Sequence, residues 1–371
     1  MNKTIQIENT RGKHLIFLTV FLFLFVVKAY TQVIYNIEGA YLFGLNLNKK
    51  SDREFGQTSP NGIELNFDRY RNGNNYWEKA YNFPHTGWSL KWFDHRNMNL
   101  GSSFCLNRHV NMVLWRKKYF DIYIKLSQGV MYASQIYESG EKFNKKYNNA
   151  IGQRLNFSTD IGLGLNIYPF KHFGFSLGAT ITHFSNGAMS QPNDGLNLLM
   201  IKTGIIRVIG VRDSIKFKQP EKKEFDRKLR FNINIAGGFK QINSENKKKH
   251  PLMTISAYFD KKISRVNAIN IGSDIFLNTA EKNSIENNAK YSGTDFKRIG
   301  VSLGHELLIG PAGIMTQIGY HIYSPYPAIS RFYQKYGMKY YITDKIFATF
   351  SVRIFNLEVS DETVFGLGMK L

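Results

Sequence analysis

Residues 155–167 read Leu-Asn-Phe-Ser-Thr-Asp-Ile-Gly-Leu-Gly-Leu-Asn-Ile, and this alternation constrains the fold more than any other feature of the chain. Leu155, Phe157, Thr159, Ile161, Leu163, Leu165 and Ile167 share one parity. Asn156, Ser158, Asp160, Gly162, Gly164 and Asn166 share the other. A period of two places alternate side chains on opposite faces of a sheet. The pattern recurs in 173–183, 229–235 and 299–307. It recurs again at the C-terminus, where Phe365, Leu367, Met369 and Leu371 alternate with Gly366, Gly368 and Lys370. A soluble sandwich also alternates, but these strands run to roughly 10–14 residues, the reach of a tilted membrane strand. Short connections (115–119, 168–173, 261–265, 308–313, 343–346) also take turns with longer polar ones (134–153, 184–195, 240–251, 278–296, 324–335). Short turns on one side of a membrane and long loops on the other give this rhythm. The expectation is an all-β, antiparallel transmembrane barrel of roughly sixteen strands, with fourteen or twelve left open because 33–110 is the least clear part. A barrel of that size would leave an aqueous lumen. The charged stretch 212–228 falls where a short turn is expected and does not fit the rhythm.

The N-terminus explains how such a chain would reach an outer membrane. Lys3, Arg11 and Lys13 precede an apolar run from Leu15 to Val27, broken only by Thr19. Ala29 and Thr31 then stand at the spacing a signal peptidase reads, so cleavage is expected before Gln32. The run is too short to cross a bilayer as a helix, and no later segment offers about 20 consecutive apolar residues. Residues 1–31 are therefore expected to be a signal peptide and 32–371 the outer-membrane barrel. Abundant glycine (31), 15% aromatics and only 9 prolines suit a wall in which every second residue must be apolar. The single Cys105 excludes a disulfide framework. The net charge of +21 suggests an anionic membrane surface or phosphorylated lipid head groups. After export, nucleic acid is not an expected partner.

One stretch carries residues fit for chemistry. The strand 173–183 runs into Thr182-His183-Phe184-Ser185-Asn186-Gly187-Ala188-Met189-Ser190-Gln191-Pro192-Asn193-Asp194-Gly195-Leu196-Asn197. His183 and Ser185 continue the apolar parity of Phe175, Leu177, Ala179 and Ile181, so they should face outward near the long-loop end. A histidine and a serine facing lipid are costly unless used. Residues i and i+2 lie about 6–7 Å apart on one face of a strand, within which an imidazole can take a serine proton. A hairpin would return Asn197 beside His183 to orient the imidazole, and Asn186 with Gly187 could bind an oxyanion. Read alone, the pair also fits a rim hydrogen bond, and Pro192-Asn193-Asp194-Gly195 is a turn.

The stretch resembles the signature of the lipid A 3-O-deacylases, the PagL-like outer-membrane barrels, in His183-x-Ser185-Asn186 and in Pro192-Asn193-Asp194-Gly195. That resemblance implies a serine esterase, with His183 as base, Ser185 as nucleophile and no cofactor. The family's glutamate aligns with Asn197, a departure that implies a slower enzyme, with Asp194 as a weaker candidate for the acid. Outer-membrane phospholipase A is similar in His183-x-Ser185-Asn186-Gly187 and in an asparagine at the spacing of Asn197. The chain lacks that family's calcium-holding Ser-Arg-Ser-Trp-Asn run. Residues 33–211 resemble the deacylase barrel, and 212–371 look like the C-terminal half of longer acyloxyacyl-hydrolase homologues. The substrate so implied is lipid A of lipopolysaccharide, with a phospholipid or a non-catalytic pore or structural barrel as alternatives. Basic loops such as Lys247-Lys248-Lys249 could hold lipid phosphates. Asp94-His95-Arg96, His109, His172, His305 and His321 show no metal-ligand spacing, and His305 and Glu306 point to opposite faces.

Overall fold

The computed structural model describes residues 34–48, 58–138, 148–212, 216–219, 225–327, 330–356 and 359–371. The expected signal peptide, 1–31, lies outside the described residues. Among the described residues there are sixteen strands, but they do not form one ring. The first eight close on themselves, and so do the last eight. Strand β1 (Tyr35–Asn46) pairs antiparallel with β8 (Leu196–Ile209), from Tyr35 opposite Ile209 to Asn46 opposite Leu198. Strand β9 (Arg230–Gln241) pairs with β16 (Val359–Lys370), from Phe365 opposite Gly237 to Lys370 opposite Asn232. The outer edge of β8 is therefore used up by β1. In sequence, the charged stretch 212–228, which fits no turn rhythm, joins the last strand of the first ring to the first of the second.

This corrects the expectation of a wide aqueous lumen, because an eight-stranded barrel is just wide enough for side chains to fill. The inward parity of the first ring carries Glu38, Glu64, Lys91, Lys125, Asp160 and Lys202, all buried. They pair with one another: Lys125 Nζ lies 2.5 Å from Glu64, Lys202 Nζ 2.6 Å from Glu38, and Lys91 bonds Asp160. The second ring repeats the device with Lys335 and Asp274 (2.7 Å), Lys339 and Glu306 (2.9 Å), and Arg353 and Asp361 (2.6 Å). Removing one partner of such a buried pair costs about 3–5 kcal/mol, so each ring is locked through its middle. The polar face that resembles a channel lining in the sequence is a plug. Purified protein in planar bilayers is accordingly expected to give no steady ionic conductance, and stepwise openings of porin size would contradict the packed lumens.

Outward-facing residues of both rings are large and apolar. Ile161, Leu163, Phe175, Leu177 and Ile181 on the first, and Ile235, Ile271, Leu303, Phe365 and Leu367 on the second, are all exposed. So continuous an apolar exterior requires lipid around it. The rings stand side by side. Phe157 of β6 (Leu155–Ile167) packs its ring centroid 4.7 Å from Phe350 and 6.1 Å from Phe365. At the short-turn end Tyr81, just after helix α1 (Tyr76–Ala80), donates to the Leu308 carbonyl (2.9 Å). At the other end the loop after β7 (Phe173–Ser185) touches the end of β9. Contacts at both ends mean that the rings share one polarity, with their long loops on the same side.

Candidate active site on the outer wall of the first barrel

The local sequence forces His183 and Ser185 outward. Phe184 between them is fully buried and meets Phe93 edge-on at 5.8 Å, in an apolar cluster with Leu196, Leu198 and Met131. Burying an aromatic ring of this size anchors the strand end, and the pleat then turns both neighbours to the other face. In the β7–β8 hairpin His183 is the direct register partner of Asn197. His183 Nδ1 and Asn197 Oδ1 are 2.7 Å apart. An amide oxygen only accepts, so Nδ1 carries the proton and Nε2 keeps the lone pair. Asn197 is steadied in turn by Asn48, whose Oδ1 accepts its N–H (2.7 Å) and whose Nδ2 donates to the Gly195 carbonyl (2.8 Å). Gly195 has φ +73°, and a Cβ there would sit 3.0 Å from His183 Cε1, so only glycine lets the turn pass over the imidazole.

Ser185 is more enclosed than its parity suggests, with 8% of its surface exposed. Asn193 folds back over it. Asn193 Nδ2 donates to Ser185 Oγ (2.9 Å), and Oγ donates to Asn193 Oδ1 (3.2 Å). Asn193 Oδ1 also takes the Asn186 N–H (2.9 Å), and the Gly187 N–H donates to Ser185 Oγ (3.0 Å). The hydroxyl therefore rests on Asn193 and not on His183. For His183 Nε2 to take its proton, the hydroxyl must first leave Asn193, and catalytic hydrogen bonds often form only once substrate is bound. In the sequence Asn193 figures only as part of a turn and of the deacylase-like loop segment, with no role of its own. Asp194 is exposed, and its N–H bonds the Asn149 carbonyl.

The side chain of Asn186 turns into the loop, where Oδ1 accepts the Ser190 N–H (3.1 Å) and Nδ2 is buried without a partner. Gly187 and Ala188 both take left-handed backbone, with φ of +61° and +69°. For alanine that conformation costs on the order of 1 kcal/mol or more, and it persists only where the surroundings hold it. Over β1 and β8 on the outer wall lies a groove of about 490 Å³. Tyr41, Phe43, Leu45, Leu199 and Ile201 line it, with Arg96 at its edge. Leu199 and Ile201 continue the face of Asn197 down β8.

Three other histidines make bonds within the frame. His95, at the long-loop end, is buried and bonded to Ser103 Oγ (2.9 Å), and burial depresses its pKa to about 4, so it stays neutral near pH 7. His109 bonds Asp68 (2.5 Å) and Ser89 (2.8 Å) inside the first ring, and His305 bonds Asn267 (2.8 Å). Among the described residues no group of three His, Cys, Asp or Glu side chains is placed to hold a metal ion.

Comparison with known proteins gives two family matches, one on each ring. Residues 61–205 match the model described as lipid A 3-O-deacylase (PagL), and residues 229–371 match that described as acyloxyacyl hydrolase, C-terminal domain. Together they span more than three quarters of the chain. No curated protein matches it. Among solved structures, the outer membrane enzyme PagL aligns at 18% identity over 47% of this chain and 99% of its own, with a TM-score of 0.33. The Acinetobacter baumannii outer membrane protein Omp33 aligns at 8% identity over 91% of this chain and 96% of its own, with a TM-score of 0.18. A Rh. blastica porin mutant aligns at 6% identity over 92% and 100%, with a TM-score of 0.18. Superpositions this loose carry no weight, and the fold rests on the strand pairing itself.

Proposed function

The chain belongs to the lipid A 3-O-deacylase (PagL) family, and from that premise we propose that it removes an ester-linked acyl chain from lipid A by serine chemistry at His183, Ser185 and Asn197. The observation that carries the assignment is the 2.7 Å bond from His183 Nδ1 to Asn197 Oδ1 on the outward face. It holds the imidazole in the tautomer whose Nε2 can act as a base, on the same face as Ser185 and one pleat away. Nε2 takes the Ser185 proton as Oγ attacks the ester carbonyl. The resulting oxyanion is held by loop N–H groups of the 186–188 segment. The imidazolium then returns its proton to the departing alkoxide, leaving the acyl group on Ser185 for water to release. Asn197 lacks the charge that would stabilise the imidazolium, and this predicts a slow turnover.

The outward placement supports a membrane-bound substrate. A lipid reaching this face need not leave the bilayer, and the groove along Leu199, Ile201 and Phe43 suits an acyl chain, with Arg96 at its edge to meet a phosphate. In this reading residues 1–31 direct export and are removed, 33–211 carry the chemistry, and 212–371 add the second barrel. The test uses purified full-length protein in mixed micelles of lipopolysaccharide and a diacyl phospholipid, read by mass spectrometry. Loss of one hydroxyacyl chain from lipid A, with the phospholipid intact, is expected. Lysophospholipid with intact lipid A would move the protein to the phospholipases.

A further inference from the structure

Thr363 stands on the outward parity of β16 with Phe365, Leu367 and Met369, which are all exposed, yet Thr363 itself is fully buried. What covers it is the catalytic loop of the other ring. Thr363 Oγ1 donates to the Gly187 carbonyl (2.8 Å). A Cβ on Gly187 would collide with the Thr363 hydroxyl, so glycine is required there both for its left-handed backbone and for this approach. Two more contacts join the same loop to the end of β9. The Gln241 N–H donates to the Ala188 carbonyl (3.4 Å), and Gln241 Oε1 accepts the Gln191 N–H (3.3 Å).

The consequence is local to one peptide unit. In a trans peptide the carbonyl and the following N–H point in opposite directions. Fixing the Gly187 carbonyl on Thr363 therefore aims the Ala188 N–H away from the second barrel. Among the described residues that N–H has no acceptor, although Ala188 is buried. Buried N–H groups without partners are rare, and an ester oxyanion would supply the missing acceptor.

We propose that the second barrel completes the esterase site, with Thr363 as a positioning residue that holds the Gly187–Ala188 peptide so that the Ala188 N–H serves the oxyanion. The inference rests on the esterase reading above. Its test measures kcat and KM of full-length Thr363→Val, Thr363→Ser and Gln241→Leu on lipopolysaccharide micelles, with Ser185→Ala beside them. Heat-modifiable gel mobility shows that each variant keeps its barrels. Misplacing one donor by a fraction of an ångström is expected to lower kcat about 10–100-fold in Thr363→Val, with KM nearly unchanged. Thr363→Ser keeps the hydroxyl and should stay near wild type, and Gln241→Leu should lower kcat several-fold. Wild-type kcat in folded Thr363→Val, an equal loss in Thr363→Ser, or an effect confined to KM would each overturn the proposal. If Thr363→Val did not fold, an unchanged kcat in Gln241→Leu would overturn it instead. Activity surviving in Ser185→Ala would overturn the esterase reading itself. An inactive Ser185→Ala beside a fully active Thr363→Val would sink only the role of the second barrel.

Discussion

Ser185→Ala and His183→Ala are each expected to slow lipid A deacylation about 1000-fold or more, and the double substitution to slow it no further. In the proposed mechanism the two side chains act as one unit: without the base the hydroxyl is not activated, and without the hydroxyl the base has nothing to deprotonate. Groups that work this way are strongly non-additive. The measurement is the initial rate of fatty-acid release by the purified variants. Neither change should unfold the protein. His183 is exposed on the wall, and the fold there rests on Phe184, Leu196 and Leu198 beneath it. Singles whose losses multiplied in the double variant would show two independent contributions and would break the proposed pair.

The second large effect concerns Asn197. Asn197→Leu removes the acceptor for His183 Nδ1, so the ring can turn or take the other tautomer, and kcat should fall about 100-fold. Asn197→Asp keeps the length of the side chain and adds a charge 2.7 Å from the ring. A carboxylate there stabilises the imidazolium formed in the transition state. At a partly exposed site this is worth about 1–2 kcal/mol, or roughly tenfold in kcat. The natural asparagine thus stands between its two replacements. An Asn197→Leu enzyme as fast as wild type would remove Asn197 from the mechanism. A slower Asn197→Asp would mean that the turn held by Asn48 does not tolerate the charge.

Parity made the outward placement of His183 legible in the sequence, because a strand residue has only two directions to point. Parity likewise put Asn197 on the face of Leu199 and Ile201, and the observed β7–β8 pairing sets it opposite His183 across a long loop. Asn193 was hidden because Pro192-Asn193-Asp194-Gly195 satisfies every requirement of a turn, and nothing local says that its amide folds back over Ser185. Thr363 was beyond reach for a different reason. It lies 176 positions from Gly187, and its burial follows only from two barrels docking. Strand number came through while closure did not. Alternation says which face of a strand meets lipid, but not which edge it pairs with, so eight strands closing on β1 and sixteen closing on one another read alike. The same holds for the polar inner face: a ring of sixteen would leave it lining a wet lumen, whereas in the ring of eight Glu64, Lys91 and Lys125 fill the interior.

The central claim is that Ser185 is the nucleophile, and the most direct test labels it. Full-length protein in detergent would be treated with an alkyl fluorophosphonate, which reacts with activated serines, and the adduct mapped by peptide mass spectrometry. One modified residue is expected, Ser185, with labelling slowed strongly in His183→Ala and absent in Ser185→Ala. Inactivation by the reagent with the adduct on another residue, or labelling of Ser185 at full rate without His183, would contradict it.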